Sequence, residues 1–318
     1  MDFDLAQIRA FVAAADERHF GRAAARLFLS QQGLSKRIQR LEQMVGEPLF
    51  RRQHNLVELT VAGRRFLPHA RRLLATADET AADLWPSARP LRIDVWGQIH
   101  APLRVVRRLA AQIPQLVPEL SMRRSLSAAL DALERDELDV AFGRPHDLVR
   151  AVPPSLALQP FYLDPLAVVM SARHSRASAE VLTAEDLRST GLWWPLENNQ
   201  GELLGFLRRY AAEFGIPITT DGLNLGVDDF LDAIRADPLR VALIGTEWLL
   251  PSHDGIRIVT VRPIPRFPWW VIHRKDARHP QLARFLGLIG ELRRQERWLD
   301  YDPDRDWLPD IDRANLPA

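Results

Sequence analysis

The sequence contains no cysteine among its 318 residues. This absence excludes disulfide bonds, thiolate metal sites and a cysteine nucleophile. Long apolar runs are also missing, since none approaches the roughly 18 residues that a membrane-spanning helix needs. The first twenty residues carry six charged side chains in place of the apolar core of a signal peptide. We therefore expect a soluble, cytoplasmic protein, and the length fits about two domains.

Catalytic motifs are absent from the sequence as well. It has no phosphate-binding glycine loop, no His-Glu-x-x-His and no Gly-x-Ser-x-Gly. The nine histidines are scattered without the spacing of metal ligands. We therefore expect no catalytic residue, no metal site and no cofactor. Because a fold does not fix a function, a ligand-binding α/β enzyme remains the alternative.

Charge is unevenly distributed along the chain. Between Arg18 and Arg72 there are twelve Arg or Lys residues and three Glu residues, a balance of +9 in a chain whose net charge is +1. The rest of the chain is therefore acidic by 8 charges. A basic segment on an acidic body is typical of a module that binds a polyanion, although a solvated arginine-rich surface has the same composition.

Apolar residues at helical spacing predict three short helices near the N-terminus. The first is capped by Asp2 or Asp4, and the second opens near Gly21. The third is capped by Ser30 and ends at Gly46. Two helices joined by a tight turn are typical of a helix-turn-helix, which places its second helix in the major groove of DNA.

The outer face of the third predicted helix is polar, and a basic turn follows it. Amide side chains suit base edges, whereas Arg and Lys suit guanine or phosphate oxygens. We expect the basic turn to form a wing with a return strand through Val57 and Leu59. A three-helix interaction module with polar outer faces is the alternative. The candidate DNA-binding residues are Ser30, Gln31, Gln32, Ser35, Lys36, Gln39, Arg40, Arg51 and Arg52.

Five motifs follow one another in this segment: Phe11-Val-Ala-Ala-Ala-Asp, Phe20-Gly-Arg-Ala-Ala-Ala-Arg-Leu, Leu29-Ser-Gln-Gln-Gly-Leu-Ser-Lys-Arg-Ile-Gln-Arg-Leu-Glu, Gly46-Glu-Pro-Leu-Phe-Arg-Arg and Leu59-Thr-Val-Ala-Gly-Arg. Over residues 3–75 the chain thereby resembles the DNA-binding end of LysR-type transcriptional regulators. Two departures touch the groove-facing end. Gln32 and Gly33 stand where the family usually has proline and a small residue, and Gly21 replaces the usual Ser or Thr cap.

One long helix is predicted from Thr60 to about Trp85. Pro68 is expected to kink it, because the proline ring clashes with the preceding turn. The resemblance implies that this is the family's linker helix, which pairs two subunits; packing on its own domain is the alternative. Residues seven apart form a stripe suited to helix pairing, namely Phe66, Leu73 and Thr80 with Ala70, Ala77 and Leu84.

Beyond residue 90, strand-like and helical runs alternate, which predicts βαβ units and a mostly parallel sheet. The predicted strands are 91–95, 119–123, 139–143, 166–170, 192–195, 223–227, 240–244 and 269–273. The predicted helices are 102–113, 127–134, a short helix capped by Thr183 with Asp186 completing a capping box, 202–214, 229–236 and 281–294.

The resemblance to LysR-type regulators is weaker here and implies two Rossmann-like subdomains of the periplasmic-binding-protein type. The expected fold class is thus α/β, with a winged helix-turn-helix and a long linker helix before these subdomains. The expected boundaries are 1–59 for the winged helix-turn-helix, 60–87 for the linker helix, 88–161 plus 268–295 for the first subdomain, 162–267 for the second, and 296–318 for an acidic C-terminal extension.

A ligand cleft is expected between the two subdomains, because open α/β sheets bind ligands at the carboxyl ends of their strands. The resemblance implies that matching positions contact a small-molecule inducer. The candidate effector-binding residues are Gln98, Ile99, His100, Ser125, Ser127, Arg144, His146, Asn198, Asn199, Val227, Asp228 and Thr246.

Three of these side chains suggest a ligand class. Arg144, His146 and His100 together can hold a carboxylate, which indicates an organic acid; alternatively, the histidines are exposed loop residues. Two tryptophan pairs, Trp193-Trp194 and Trp269-Trp270, lie in predicted strands whose alternation sends one ring of each pair inward. Those rings serve either as core or as an aromatic shelf for a ligand.

The C-terminal extension mimics a calcium loop without completing one. Acidic residues alternate from Asp300 to Asp306, but the sixth position is Arg305 in place of glycine and the twelfth is Ile311 in place of an acid. We expect an acidic extension whose apolar residues pack on the body of the protein, namely Trp298, Trp307 and Leu308.

The sequence therefore predicts a sequence-specific DNA-binding transcriptional regulator of the LysR type that responds to an unidentified small molecule. Its expected partners are double-stranded promoter DNA, the effector, further copies of itself in a homodimer or homotetramer, and RNA polymerase. A DNA-binding protein without an effector is a second alternative.

Overall fold

The computed structural model describes residues 3–27, 29–53, 56–84, 90–113, 116, 118–196, 201–223, 225–277 and 279–316. The chain forms two compact units, Met1–Ser87 and Ala88–Ala318. None of the helices in the described ranges is long and apolar enough to cross a membrane.

The first unit consists of helices and one hairpin. In chain order its elements are α1 (Leu5–Glu17), α2 (Phe20–Arg26), α3 (Gln31–Val45), β1 (Phe50–Gln53), β2 (Leu56–Leu59) and α4 (Val61–Leu84).

Local signals set the ends of these helices. The Asp4 carboxylate accepts the N–H of Ala6 at 2.7 Å before α1, and Ser30 Oγ accepts the N–H of Gly33 at 3.0 Å before α3. The prediction that Gly21 caps α2 is wrong. His19 Nδ1 accepts the N–H of Gly21 at 3.0 Å, so the glycine lies inside the helix.

The core of the first unit joins α1 to the other helices and to the hairpin. Ile8, Phe11, Leu34 and Ile38 are buried at its centre. Gly63 allows the start of α4 to approach the hairpin, because a Cβ there would lie 2.2 Å from the carbonyl oxygen of Leu49.

Helix α4 begins after Thr60, whose hydroxyl accepts the N–H of Gly63 at 3.0 Å, and it continues through Pro68. Ala70 is fully buried and Phe66 packs on the same core, so the first part of the helix packs on its own unit. Leu73 is exposed. Pairing with a second subunit therefore stays a prediction.

The second unit is an α/β structure. Its strands are β3 (Arg92–Asp94), β4 (Glu119–Ser121), β5 (Val140–Gly143), β6 (Leu156–Ser171), β7 (Val181–Thr183), β8 (Leu192–Leu196), β9 (Ile218–Leu223), β10 (Val241–Gly245), β11 (Ile256–Arg262), β12 (Ile264–Arg274) and β13 (Asp306–Trp307). Its helices are α5 (Ala101–Gln112), α6 (Leu126–Glu134), α7 (Ala184–Thr190), α8 (Glu202–Phe214), α9 (Val227–Ala236), α10 (Pro280–Gln295) and α11 (Asp310–Arg313).

Two long antiparallel strands, β6 and β12, organise this unit. β12 also pairs with β5, which leads to the parallel strands β3 and β4. The other end of β6 pairs antiparallel with β10 and β11, and β7 joins β11 in parallel. The sheet is therefore mixed, which corrects the mostly parallel prediction. The predicted subdomain boundaries at 161/162 and 267/268 fall inside β6 and β12, and that division stays a prediction.

Most predicted elements agree with the structure to within a few residues, and α8 agrees fully. Thr183 and Asp186 form the predicted capping box of α7. The strand predicted at 223–227 is wrong, because the strand is β9 and Val227 begins α9 after Gly226 in a left-handed conformation (φ 125°). β7, β11 and β13 were not predicted.

The tryptophan pairs belong to the core on both faces of their strands. All four rings are buried, at 6%, 5%, 2% and 5% exposure for Trp193, Trp194, Trp269 and Trp270. Trp269 and Trp270 pack in different clusters, so neither face of β12 is open to solvent. The prediction that one ring of each pair points inward is therefore too restrictive.

The C-terminal extension folds back on the second unit, as predicted. β13 pairs in parallel with the start of β12, and Leu308 is buried. The ring centroid of Trp307 lies 5.3 Å from that of Phe206 and 5.1 Å from that of Tyr210, both on α8. The extension therefore packs on helix α8 and on the sheet.

Candidate nucleic-acid interface and ligand cavity

Helix α3 presents a polar face to solvent. Leu34, Ile38 and Leu41 are buried on its inner side. Of the predicted DNA-binding residues on its outer side, Ser35 is half-buried and the others are exposed, namely Ser30, Gln31, Gln32, Lys36, Gln39 and Arg40. The Ser30 hydroxyl accepts the N–H of Gly33 at the helix cap. The amide and cationic side chains of the first turns are therefore the main groups that a ligand can contact.

The hairpin β1–β2 forms the predicted wing. Its register pairs Phe50 with Leu59 and Gln53 with Leu56. Phe50 anchors the wing, because its ring centroid lies 5.2 Å from that of Phe11 in the core. Arg51 is exposed on the wing, and the side chain of Arg52 lies outside the described part of the chain.

The second unit contains a cavity of about 430 Å³ at the carboxyl ends of several strands. One wall comes from the loops after β3 and β4 and consists of Trp96, Gly97, Gln98, Ile99, His100, Met122 and Arg124. The other comes from β8, α8, the start of α9 and the loop after β10, and consists of Trp194, Pro195, Leu203, Leu225, Gly226, Val227, Asp228, Phe230 and Trp248. The size is within the range of small-molecule sites.

His100 is embedded in an aromatic cluster at the edge of this cavity. Its ring lies edge-on to Trp96 and Trp248, with centroids 4.5 Å and 4.6 Å away. Burial lowers the pKa of His100 to about 3, so the imidazole is neutral near pH 7. The residue contributes no positive charge to the cavity.

Two carboxyl groups lie beneath the aromatic cluster. Glu202 Oε1 accepts the indole N–H of Trp96 at 2.7 Å and the backbone N–H of Leu126 at 2.9 Å. Asp164 Oδ2 accepts the indole N–H of Trp269 at 3.3 Å, and burial raises the pKa of Asp164 to about 7. These hydrogen bonds fix the indole rings of Trp96 and Trp269 on the side away from the cavity.

Comparisons with known proteins decide the family. Residues 5–64 match the model of the bacterial regulatory helix-turn-helix protein of the lysR family, and residues 91–294 match the LysR substrate binding domain. The chain is a LysR-type transcriptional regulator. IlvR of Caulobacter vibrioides is 34% identical over 299 residues, covering 91% of this chain and 98% of IlvR. The uncharacterized regulator YnfL of Escherichia coli K12 is 31% identical over 287 residues, covering 80% and 90%.

Solved structures of LysR regulators have the same fold. CbnR matches with a TM-score of 0.54 at 21% identity, covering 90% of this chain and all of CbnR. Full-length CbnR in complex with its target DNA matches with a TM-score of 0.53 at 20% identity, covering 91% and 99%. At this identity the likeness concerns the fold alone.

The predicted effector residues of this LysR-type regulator divide into three groups. Gln98, Ile99, His100, Val227 and Asp228 line the cavity. Asn198 and Asn199 lie outside the described residues. The remaining predicted residues are not among those that line it, namely Ser125, Ser127, Arg144, His146 and Thr246.

Two residues of this last group, Ser125 and Thr246, make hydrogen bonds within the protein. Ser125 Oγ caps α6 by accepting the N–H of Ala128 at 3.2 Å, and the N–H of Thr246 donates to the carbonyl of Pro165 at 2.9 Å. Ser127 is half-buried within α6, one residue after the helix begins.

The prediction that Arg144, His146 and His100 together hold a carboxylate ligand needs correction. The Arg144 side chain is fully buried, and it donates from Nη2 to Asp312 Oδ2 at 2.7 Å and from Nη1 to Asp147 Oδ2 at 2.5 Å. His146 Nε2 lies 3.7 Å from Asp312 Oδ1. The C-terminal extension thus supplies the carboxylate for Arg144, while His100 lines the cavity as a neutral ring.

The same cluster bridges separate parts of the second unit. Burial alone would raise the pKa of Asp147, but the guanidinium groups of Arg209 and Arg144 together lower it to about 2. Because Arg209 belongs to α8 and Asp312 to α11, the cluster joins the loop after β5 to both helices.

Sequence reasoning missed most of the aromatic lining. Trp96 lies two residues before the predicted Gln98, so extending that loop by two positions would have found it. Trp194 was interpreted as core or shelf, and it is buried and lines the cavity. Phe230 and Trp248 carried no local signal. Within the described residues there is no group of three His, Cys, Asp or Glu suited to a metal ion.

Proposed function

We propose that this LysR-type regulator binds a promoter site of partial dyad symmetry as a dimer or, in its complete assembly, a tetramer. The amino-terminal half of α3 enters the major groove, and the wing follows the phosphate backbone. A small molecule in the cavity of the second unit changes the arrangement of the DNA-binding modules.

One observation supports the DNA-binding role most directly. The exposed face of α3 carries Gln31, Gln32, Lys36, Gln39 and Arg40, while its opposite face is fully used by the core. These side chains combine base-reading amides with cations for guanine or phosphate. The cations on this face and the exposed Arg51 of the wing suit a polyanion better than another protein surface.

The same proposal covers the location of the protein, its partners and its chemistry. The protein works in the cytoplasm, where its DNA is, and contacts RNA polymerase at the promoter. It is not an enzyme and needs no metal or cofactor beyond the effector. Because the effector and DNA act on one equilibrium, each changes the affinity for the other by the same factor.

Titration of the full-length protein against DNA from upstream of its own gene tests the proposal. A scrambled sequence of equal length at the same salt concentration is the control, because non-specific affinity depends strongly on salt. We expect preferential binding and a footprint with dyad symmetry. Two results together would contradict sequence-specific binding. The protein would bind the upstream and scrambled sequences with equal affinity, and it would bind genomic fragments that it selects no more tightly than either.

A further inference from the structure

Aromatic side chains form both walls of the ligand cavity. Trp96 stands on the wall that follows β3, and Trp194, Phe230 and Trp248 stand on the opposite wall. Three of these rings are at least nine-tenths buried, and Trp248 is half-buried. Such walls favour a flat ring between them, since aromatic rings prefer offset or edge-to-face contacts with centroids about 4.5–7 Å apart.

The polar atoms of these walls are turned into the protein. The indole N–H of Trp96 donates to Glu202, and Nε1 of Trp248 is buried close to Gly245, where an added Cβ would lie 2.1 Å from it. Nδ1 of His100 is also buried. The described aromatic side chains therefore offer the cavity mainly ring faces and ring edges.

The described groups around the cavity offer an anion no buried positive partner. The carboxyl group of Glu202 lies directly behind Trp96. His100, the one imidazole among the described lining residues, is neutral, because burial lowers its pKa to about 3. Among the described lining residues, a ligand carboxylate taken out of water would find no buried cation to compensate it.

The exposed mouth carries opposite charges that cancel. Arg124 lies on one wall and Asp228 on the other, and both are exposed, as is the amide of Gln98. Water weakens the field of such exposed charges. A polar substituent at the mouth thus finds donors and acceptors, but no net charge.

We propose that the effector of this protein is a planar aromatic compound without net charge. Its ring lies between Trp96 and the opposite aromatic wall, and its polar substituent points to the mouth beside Gln98, Arg124 and Asp228. This inference rests on the proposed effector function and specifies the ligand class. A cavity of about 430 Å³ has room for one or two fused rings with a short substituent.

Calorimetric titration of the full-length protein with matched ligand pairs tests the ligand class. The pairs are indole-3-carboxamide against indole-3-carboxylate and benzamide against benzoate, which keep the ring and the shape of the substituent while the amide lacks the negative charge and has N–H donors. We expect each amide to bind at least tenfold more tightly than its carboxylate at neutral pH. Equal or tighter binding of the carboxylates, or no binding of either amide, would overturn the proposal.

Two substitutions place the binding in this cavity. Trp248→Leu should weaken the amides at least tenfold, whereas Trp298→Leu, which changes an equally half-buried ring outside the cavity, should leave them unchanged. Ile99→Lys adds a cation at a half-buried lining position, where water screens it less than at the mouth, and should reduce the preference for the amides at least tenfold. Unchanged binding in both cavity variants would refute the site.

Operator titration of the same preparations separates this proposal from the proposed function. Specific operator binding together with tight binding of carboxylates would retain the regulator and reject the ligand class. Binding of the amides without any preference for operator DNA would support the ligand class and reject sequence-specific regulation.

Discussion

Gln31 is the first residue of α3 and is exposed, so its amide is free to meet a base edge in the groove. We expect Gln31→Ala to weaken operator binding by roughly 1–3 kcal/mol, about 5- to 150-fold, because it removes a sequence-reading contact. Binding to scrambled DNA should change little. Fluorescence anisotropy with both DNAs at one salt concentration measures the two affinities.

Gln43 provides the matched control for this prediction. It is an exposed glutamine on the same helix, but it lies in the last turn before Gly46. Gln43→Ala should leave both affinities unchanged. An equal loss of operator and scrambled binding in Gln31→Ala would assign Gln31 to the phosphate backbone instead of to base recognition.

Asp164 links burial to the pH dependence of stability. Burial raises its pKa from 3.8 to about 7 in the folded protein. Between about pH 4 and 7 the folded protein keeps on Asp164 a proton that the unfolded chain has lost. The contribution of this protonated carboxyl group to the free energy of unfolding is therefore full below about pH 4 and is lost as the pH rises through 7. Asp164→Asn cannot ionise and still offers an acceptor to the indole N–H of Trp269.

We therefore expect Asp164→Asn to gain stability relative to the natural protein as the pH rises from 5 to 8, by up to about 3 kcal/mol. Denaturant unfolding at the two pH values gives the free energies. Asp276→Asn is the control, because the Asp276 side chain is 81% exposed. If both variants respond to pH equally, the buried carboxyl is not the cause.

At the scale of elements, the C-terminal helix α11 is held by a fully buried ion pair. Asp312 has no exposed surface and accepts two donors of Arg144, at 3.0 Å from Nε and 2.7 Å from Nη2. We expect Asp312→Asn to cost up to roughly 3 kcal/mol of unfolding free energy, because it removes one of the two carboxylates that compensate the buried Arg144 charge and leaves only Asp147. Thermal or denaturant unfolding measures the loss.

A double substitution distinguishes this cause from a general defect in packing. Arg144→Met combined with Asp312→Leu removes both charges and should recover much of the stability lost in Asp312→Asn. The surface pair in the same helix serves as a control, since the Asp310 side chain is 89% exposed and Asp310→Asn should cost less than about 1 kcal/mol. A double variant as unstable as Asp312→Asn would argue against an unpaired charge.

Elements whose signals are local could be predicted from the sequence. Ser30, Gly46 and the Thr183–Asp186 box mark helix ends through bonds within three or four residues. Strands β6 and β12 were recognised only in part, because the predicted segments stop beside Pro165 and Pro268, and proline normally ends a strand. Both strands continue through these prolines because they pair with each other along this stretch.

Contacts remote in sequence could not be predicted. The role of Arg144 depends on Asp312, which follows it by 168 residues, and no local pattern announces that pairing. β7 and β13 are three and two residues long, and each depends on a distant partner strand. The predicted residues after β3 and at the start of α9 line the cavity, but its aromatic side chains come from two loops, β8 and α9, which meet only in the folded chain.

At the scale of the whole molecule, charge is separated along the chain. The segment from Arg18 to Arg72 carries a balance of +9, and the remainder carries the compensating negative charge. Six of the eight compensating negative charges also lie in the first unit, so that unit carries a net +3 and the second unit a net −2. We therefore expect DNA contact to be confined to the basic segment of the first unit. Each phosphate contact releases counterions, so the logarithm of the affinity falls linearly with the logarithm of the salt concentration.

Arg51, exposed on the wing, and Arg107, exposed on α5 of the second unit, test this separation. Arg51→Ala should lower the slope of the salt dependence by about 1 for each wing that contacts DNA, and it should weaken operator and scrambled DNA alike. Arg107→Ala removes the same charge from the second unit and should leave the slope unchanged. Affinities measured at four or more salt concentrations give the slopes. An equal change in both variants would mean that the second unit also contacts the phosphate backbone.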